Sequence, residues 1–371
     1  MIDVRPATTR RERRAFIDLP YEKYRGHPHW IPPARMTEVP QFDPRRNPFF
    51  AGADMDLLLA WDGPRLAGRI AAIDDRRHNE TYPEDNLAGF GFFEAESAES
   101  AAALLAAAER WAVARGRTKL RGPVNPSLNH VAGLQVDAFD TDPYVMMPWN
   151  PPEYVGFIEA AGFRKAKDLW CWLMDVDRSP VARLAPLARR ACHRYRVTLR
   201  PFNRWRLRQE SDRLYELYSI AWERNWGFAP PSRAEFWQTM KDLRWLRQFD
   251  GMLFAEVDGR PVGAVTLVPD VNQIFKGTNG RLLPATWWRL LNMPSIVTRA
   301  RVVVAGVIPE YRDTGVLAVL MHELFVVAKR YGFTQLEHSW VLEDNILTNQ
   351  ALSRGGAVKY KTYRLYEKTL T

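Results

Sequence analysis

The feature that most constrains this chain is that its landmarks occur twice, in the same order. Arg5-Pro6 closes an opening strand, and Arg200-Pro201 closes another 195 residues later. The hairpin Leu58-Leu-Ala60…Gly68 matches Leu253-Phe-Ala255…Gly263 at the same spacing. The helices that follow end at Gly116 and Gly332, and the next strands hold Leu120 and Leu336, now 216 apart. Gly162-Phe-Arg-Lys165 and Gly356-Ala-Val-Lys359 return the spacing to 194. A tandem duplication explains the series, with domains expected over 1–180 and 195–371. Each half reads as a strand, one or two helices, a hairpin, strand–loop–helix, then strand–helix–strand. That predicts an α/β fold with a mixed, mostly antiparallel sheet flanked by helices. The changes of spacing place two inserts of about twenty residues. One lies between Leu120 and Gly162, the other around Val271 to Thr298, and inserts in a duplicated scaffold sit in loops that carry function.

A length of 371 residues suits two domains, each able to bury its own core. The opening residues, Met1-Ile-Asp-Val-Arg-Pro, match neither a signal peptide nor a transit segment. With two cysteines only, Cys171 and Cys192, no disulfide framework is expected and a cytoplasmic protein is the default. The formal charge of +9 would suit phosphates, an anionic membrane surface or nucleic acid. No helix-turn-helix, zinc or RNP-like pattern accompanies it, so nucleic acid is not an expected partner. Nor is a metal.

Arg301-Val-Val-Val-Ala-Gly-Val-Ile308 has the length and apolarity of a buried strand. Leu317, Leu320, Leu324 and Ala328 then recur at helical spacing, and Gly332 closes the helix. Between them lies Pro309-Glu-Tyr-Arg-Asp-Thr-Gly315. A strand, a short loop with a basic residue and a glycine, then a helix N-terminus form an anion cradle. The first half has Phe93-Glu-Ala-Glu-Ser-Ala-Glu-Ser100 instead. Three glutamates repel a pyrophosphate, so the first half is expected to be a scaffold and substrate wall.

This order resembles the GNAT superfamily of acyl-CoA-dependent N-acyltransferases. The family's loop, Arg/Gln-x-x-Gly-x-Gly/Ala, falls on Arg312-x-x-Gly315-x-Leu317; its later Asn-x-x-Ala-x-x-Leu-Tyr falls on Asn345, Thr348, Ala351 and Leu352. The resemblance implies acyl-CoA as co-substrate, without a metal, and a primary amine as acceptor. It implies a pyrophosphate held by the backbone of Arg312, Asp313, Thr314, Gly315 and Val316. Val307 or Ile308 would supply an oxyanion N–H, and Asn345 would lie near the pantetheine. Two departures stand out. Leu317 replaces a small residue, and Leu352 stands where many members carry a tyrosine acid. More narrowly, Asn225-Trp-Gly-Phe, Leu282-Leu-Pro-x-x-Trp-Trp and Glu343-Asp-Asn are similar to bacterial tandem chains of the ceramide synthase kind. Those N-acylate a sphingoid base with long-chain acyl-CoA.

Acyl transfer to an amine also needs a base. On the strand Gln335 to Val341, alternation puts Glu337 and Ser339 on one face and His338 and Trp340 on the other. A glutamate amid apolar residues is costly unless paired or useful. Glu337 is the expected base, His338 the second choice; the bland alternative is a structural pair between Glu337 and an arginine. Asp344 is expected to cap the next helix. Glu223, Asn225 and Trp226 would orient an amine or form a helix cap under two tryptophans. Asn125 and Asn129 would line a pocket or cap their own loop. Lys276 is a further substrate-side candidate. Trp287, Trp288, Leu290 and Leu291 cover much of a short helix, so the insert Leu282–Met293 should meet something apolar. A membrane interface, a long acyl chain, a second copy and a plain domain contact all fit. Two rival readings stay open, an N-acetyltransferase of small amines and a non-catalytic acyl-CoA sensor. The sequence leaves acceptor, chain length and oligomeric state open.

Overall fold

The computed structural model describes residues 1–243 and 251–370. The chain forms two compact units that do not coincide with 1–180 and 195–371. The first comprises Met1–Leu169, Phe275–Trp287 and Lys361–Thr371; the second comprises Trp170–Ile274 and Trp288–Tyr360.

In chain order the first half supplies β1 (Ile2–Pro6), α1 (Arg10–Lys23), α2 (Arg35–Gln41), β2 (Ala53–Asp62), β3 (Arg65–Asp75), α3 (Arg76–Thr81) and β4 (Leu87–Ala95). It continues with α4 (Ala98–Val113), β5 (Lys119–Gly122), β6 (Val124–Asn125), β7 (Val131–Ala132), β8 (Leu134–Gln135), α5 (Glu153–Ala160) and β9 (Arg164–Asp175). Then come α6 (Val181–Tyr195), β10 (Thr198–Pro201), α7 (Leu207–Trp222), α8 (Arg233–Leu243), β11 (Met252–Val257), β12 (Arg260–Pro269), α9 (Asn272–Phe275), α10 (Pro284–Leu291) and α11 (Met293–Ile296). The remainder is β13 (Arg299–Val307), α12 (Val316–Arg330), β14 (Gln335–Leu342), α13 (Ile346–Gly355) and β15 (Val358–Thr369).

The first unit's strands run β1-β2-β3-β4-β5-β15, and the second's run β10-β11-β12-β13-β14-β9. Each unit therefore completes its sheet with the closing strand of the other sequence half. In the first unit Tyr366 faces Gly122 and Lys368 faces Leu120. This exchange is why the units differ from the halves. In both, four antiparallel strands lead to one parallel pair, β4 with β5 and β13 with β14.

Core packing follows the helical and strand periods. α4 buries Ala101, Leu104, Leu105, Ala108 and Ala112 beside Ile70, Phe90 and Leu120. In the second unit α12 buries Val316, Val319, Leu320, Leu324 and Val327, and Ala188 and Ala191 of α6 belong to the same core. The first insert and Phe275–Trp287 of the second belong to the first unit, where Lys276 Nζ meets Asp142 Oδ2 at 2.6 Å and His29 Nδ1 meets Asp142 Oδ1 at 3.0 Å. Arg35 bonds the carbonyls of Asn279 and Gly280. No helix among the described residues is long and apolar enough to cross a membrane.

Candidate active site

Both units contain a parallel strand pair that parts, and in only one is the gap open. In the second unit β13 and β14 pair from Arg299 with Gln335 to Val302 with His338, then diverge. Beyond that point Val303, Val304, Ala305 and Gly306 of β13 remain accessible, as do Trp340 and Val341 of β14. Ile308 donates its N–H to Val262 at 2.9 Å and is spent. Because successive backbone groups on a strand alternate in direction, the N–H of Val307 points the other way, toward the gap. Ala305 is in the same phase, a donor that the reading of side chains overlooked.

In the first unit the gap is filled by the chain itself. β4 and β5 part after Gly89 with Arg121, and β6 occupies the space. The N–H of Phe92 donates to Asn125 Oδ1 at 2.6 Å. A Cβ on Gly91 would fall 1.7 Å from the Val124 carbonyl. Asn125 is thus a structural plug, and Asn129 donates its backbone N–H to Ser127 Oγ in the same loop.

The helices after the two pairs differ in the same sense. Ser97 and Ser100 form a reciprocal capping box on α4, so the first unit satisfies its own helix donors. Glu94, buried there, accepts from the hydroxyls of Tyr24 and Tyr154. In the second unit Pro309–Thr314 is a 3-10 turn that ends on Gly315 at φ +84°, and no side chain caps α12. Backbone N–H groups and the helix dipole thus converge at an exposed mouth, with Asp313 and Leu317 exposed beside it. Arg312 does not reach into the mouth. It donates to Ala221 O at 3.1 Å and to Val307 O at 3.5 Å, tying the turn to the end of α7. Thr314 Oγ1 bonds Tyr311 O at 2.7 Å.

Glu337 and His338 prove to have opposite fates. His338 packs on Phe325 of α12. Its Nε2 has no partner among the described residues, and burial pushes its pKa down to about 4. Its side chain is buried. Since the unfolded chain takes up this proton near pH 6.5, folding loses stability as pH falls from there toward 4, by about 3 kcal/mol in full. His130, in the first unit, carries a shift of the same size, also from burial first. We therefore expect His338→Leu to flatten, without abolishing, the fall of melting temperature between pH 6.5 and 4. An unchanged slope would mean that His338 opens to water.

Glu337 lies on the other face, 1 % exposed. Its carboxylate accepts from Ser339 and from Tyr360, and Arg301 Nε stands 3.9 Å away while bonding Ser339 Oγ at 2.7 Å. The arginine neighbour offered as the bland reading of Glu337 is therefore present, with the carboxylate also held by two hydroxyl donors. Arg301 and Tyr360 were not singled out in the sequence because they reach Glu337 across the sheet. Gly306, on β13, faces Trp222 of α7, whose ring would lie 2.4 Å from an added Cβ.

At the far wall Asn345, not Asp344, caps α13, accepting from Thr348 N at 3.3 Å. Asn345 is the cap because it directly precedes the helix start at Ile346, whereas Asp344 lies two residues before it. Asn349, also unremarked in the sequence, is buried with its amide satisfied by Trp172 Nε1, Leu342 O and Glu343 O. Glu223 ends α7, exposed; the Asn225 N–H bonds Trp222 O at 2.8 Å, with Trp226 half-buried next to it. Lys276, Asn125 and Asn129 belong to the first unit, away from this group in membership. Among the described residues no group of His, Cys, Asp or Glu could hold a metal ion.

Comparison with known proteins fits this geometry. A sequence model of the acetyltransferase (GNAT) family matches residues 211–349. The chain is 35 % identical to Protein YghO of Escherichia coli over 99 % of this chain and 95 % of that one. It is also 35 % identical to a bacterial ceramide synthase of Caulobacter vibrioides, over 100 % and 98 % of the two chains. Among solved structures, a tandem GNAT protein from the clavulanic acid biosynthesis pathway superposes with TM-score 0.58 at 18 % identity, covering 100 % of this chain and 99 % of that one. Open cleft, uncapped helix and full-length relatives agree: this chain belongs to the GNAT family and is a tandem GNAT N-acyltransferase.

Proposed function

We propose that the second unit takes a long-chain acyl-CoA and passes the acyl group to the amine of a lipid-like acceptor, a sphingoid base being the first to try. The observation that carries this reading is α10. Besides Ala285, its exposed positions are Pro284, Trp287, Trp288 and Leu291, with Leu283 just before them. That is i, i+3, i+4 and i+7, the stripe a soluble helix turns inward; here Trp288 is 62 % exposed and Leu291 66 %. Tryptophan and leucine beside Arg281 suit the headgroup boundary of an anionic membrane, where the chain's net charge of +9 also helps. The acyl-CoA and acceptor would be drawn from that surface on its cytoplasmic side. The 35 % identical relative named a ceramide synthase supports the same acceptor class.

The test has two arms. Thiol release should be much faster with palmitoyl-CoA and sphinganine than with acetyl-CoA and a small amine. Binding to vesicles of phosphatidylglycerol should weaken by about tenfold or more in the double variant Trp287→Ala, Trp288→Ala, since each ring buried contributes on the order of 2 kcal/mol. A preference for acetyl-CoA, or undiminished vesicle binding with an unchanged melting temperature, would overturn the lipid reading.

A further inference from the structure

We propose that Tyr360 is the residue that moves the proton in acyl transfer, with Glu337 behind it as the proton's resting place. The inference rests on the N-acyl-transfer reading of the second unit and names a group which that reading lacks.

Glu337 is too deeply buried to touch an amine: with Arg301 and Ser339 it lies below the surface, all three nine-tenths or more covered. Tyr360, the third residue of β15, is half-buried, and its hydroxyl donates to the Glu337 carboxylate. It is the member of this group that spans from the buried charge toward solvent. The position is also apt. Glu337 sits opposite Arg301, one pair before the β13–β14 ladder ends at Val302 and His338, so the group lies at the floor of the open cleft. His338 occupies the α12 face, which leaves Glu337 and Tyr360 on the face that α7 covers through Trp222 and Gly306. The remaining carboxylate valence is met by Ser339 Oγ, itself held by Arg301 at 2.7 Å. A carboxylate so anchored keeps the phenol in place and accepts its proton without moving.

The step balances as follows. The neutral amine attacks the thioester carbonyl, and the N–C bond forms. The nitrogen's surplus proton passes to Tyr360 Oη as the phenol's own proton passes to Glu337. When the C–S bond breaks, the same path runs backward: Glu337 returns a proton to Tyr360, and Tyr360 gives one to the departing thiolate. Amide and free CoA thiol leave, and both residues are as they began. Tyr360 touches the reacting atoms; Glu337 acts through it.

The experiment compares wild type with Tyr360→Phe and Glu337→Gln, using palmitoyl-CoA and sphinganine, then a panel of other primary amines. Tyr360→Phe should lower kcat by about a hundredfold or more, with palmitoyl-CoA binding, read by thermal shift, within about twofold of wild type. The deficit should shrink as pH rises toward the amine's own pKa, where neither deprotonated amine nor thiolate needs help. Glu337→Gln should show the same pH trend. A kcat within a few-fold of wild type, or a loss equal at every pH, would make the Tyr360 hydroxyl a structural cap and sink the proposal alone. Wild type that binds palmitoyl-CoA yet releases no thiol with any amine would sink the acyl-transfer reading and this proposal with it.

Discussion

Replacing Gly91 with valine should unfold the first unit. Even an alanine Cβ would lie 1.7 Å from the Val124 carbonyl and 2.6 Å from Asn125 Oδ1. Neither is the free end of a flexible side chain. Relief requires β6 to leave the gap between β4 and β5, which breaks the bond from Phe92 N–H to Asn125. It would also open Phe90 and Phe93, both now buried, to water. Overpacking of this severity costs about 3 kcal/mol or more, against a total stability of about 5–15 kcal/mol for a domain. The expected result is a separate early melting transition, or aggregation on expression. Val304→Leu is the control, a substitution at a half-buried position of β13 in the second unit. A Gly91→Val protein that melts within about 2 °C of wild type would show that the plug stands away from β4 in solution.

The second large effect is expected at Gly315. Gly315→Glu should weaken acyl-CoA binding by about a hundredfold or more, measured by calorimetry with palmitoyl-CoA. Three causes add. The φ of +84° suits glycine, and another residue there is strained by about 1–2 kcal/mol. A Cβ would press on the Ala191 methyl of α6 at 3.2 Å. The new carboxylate would face a pyrophosphate at the end of α12, where the helix dipole and backbone donors favour an anion other than its own side chain. Gly315→Ala separates these causes, since it carries the strain and the contact without the charge. If alanine and glutamate lose binding equally, the cradle works by shape alone. If neither loses it, the pyrophosphate lies elsewhere.

The legible part of this protein is the local part. The strand, turn and helix from Arg301 to Arg330 could be read from apolar runs, a proline and a glycine, because neighbours in sequence determine them. The duplicated order could be read for the same reason. What could not be read is pairing over distance. Nothing near Asn125 says that its amide ends in another strand's gap; the amide-rich insert looked as suitable for a pocket. Glu337 was conspicuous as a charge in an apolar strand, yet its partners Arg301 and Tyr360 stand 36 and 23 positions away, on other strands. The acidic run from Glu94 to Glu99 did argue against a phosphate in the first half. It could not announce that the unit had also stoppered its cleft.

The exchange of closing strands governs how such a chain can be made. As the nascent polypeptide leaves the ribosome, residues 1–169 emerge with β5 still lacking its neighbour. That neighbour, residues 361–369, is synthesised almost two hundred residues later. Until then the first unit carries a bare sheet edge, the kind that pairs with whatever strand comes near. Its contacts are also of very long range, which slows closure. A truncated gene product ending after the first half would leave that edge permanently unpaired. Neither sequence half carries every strand of its own unit, so each is expected to need the other to close its sheet.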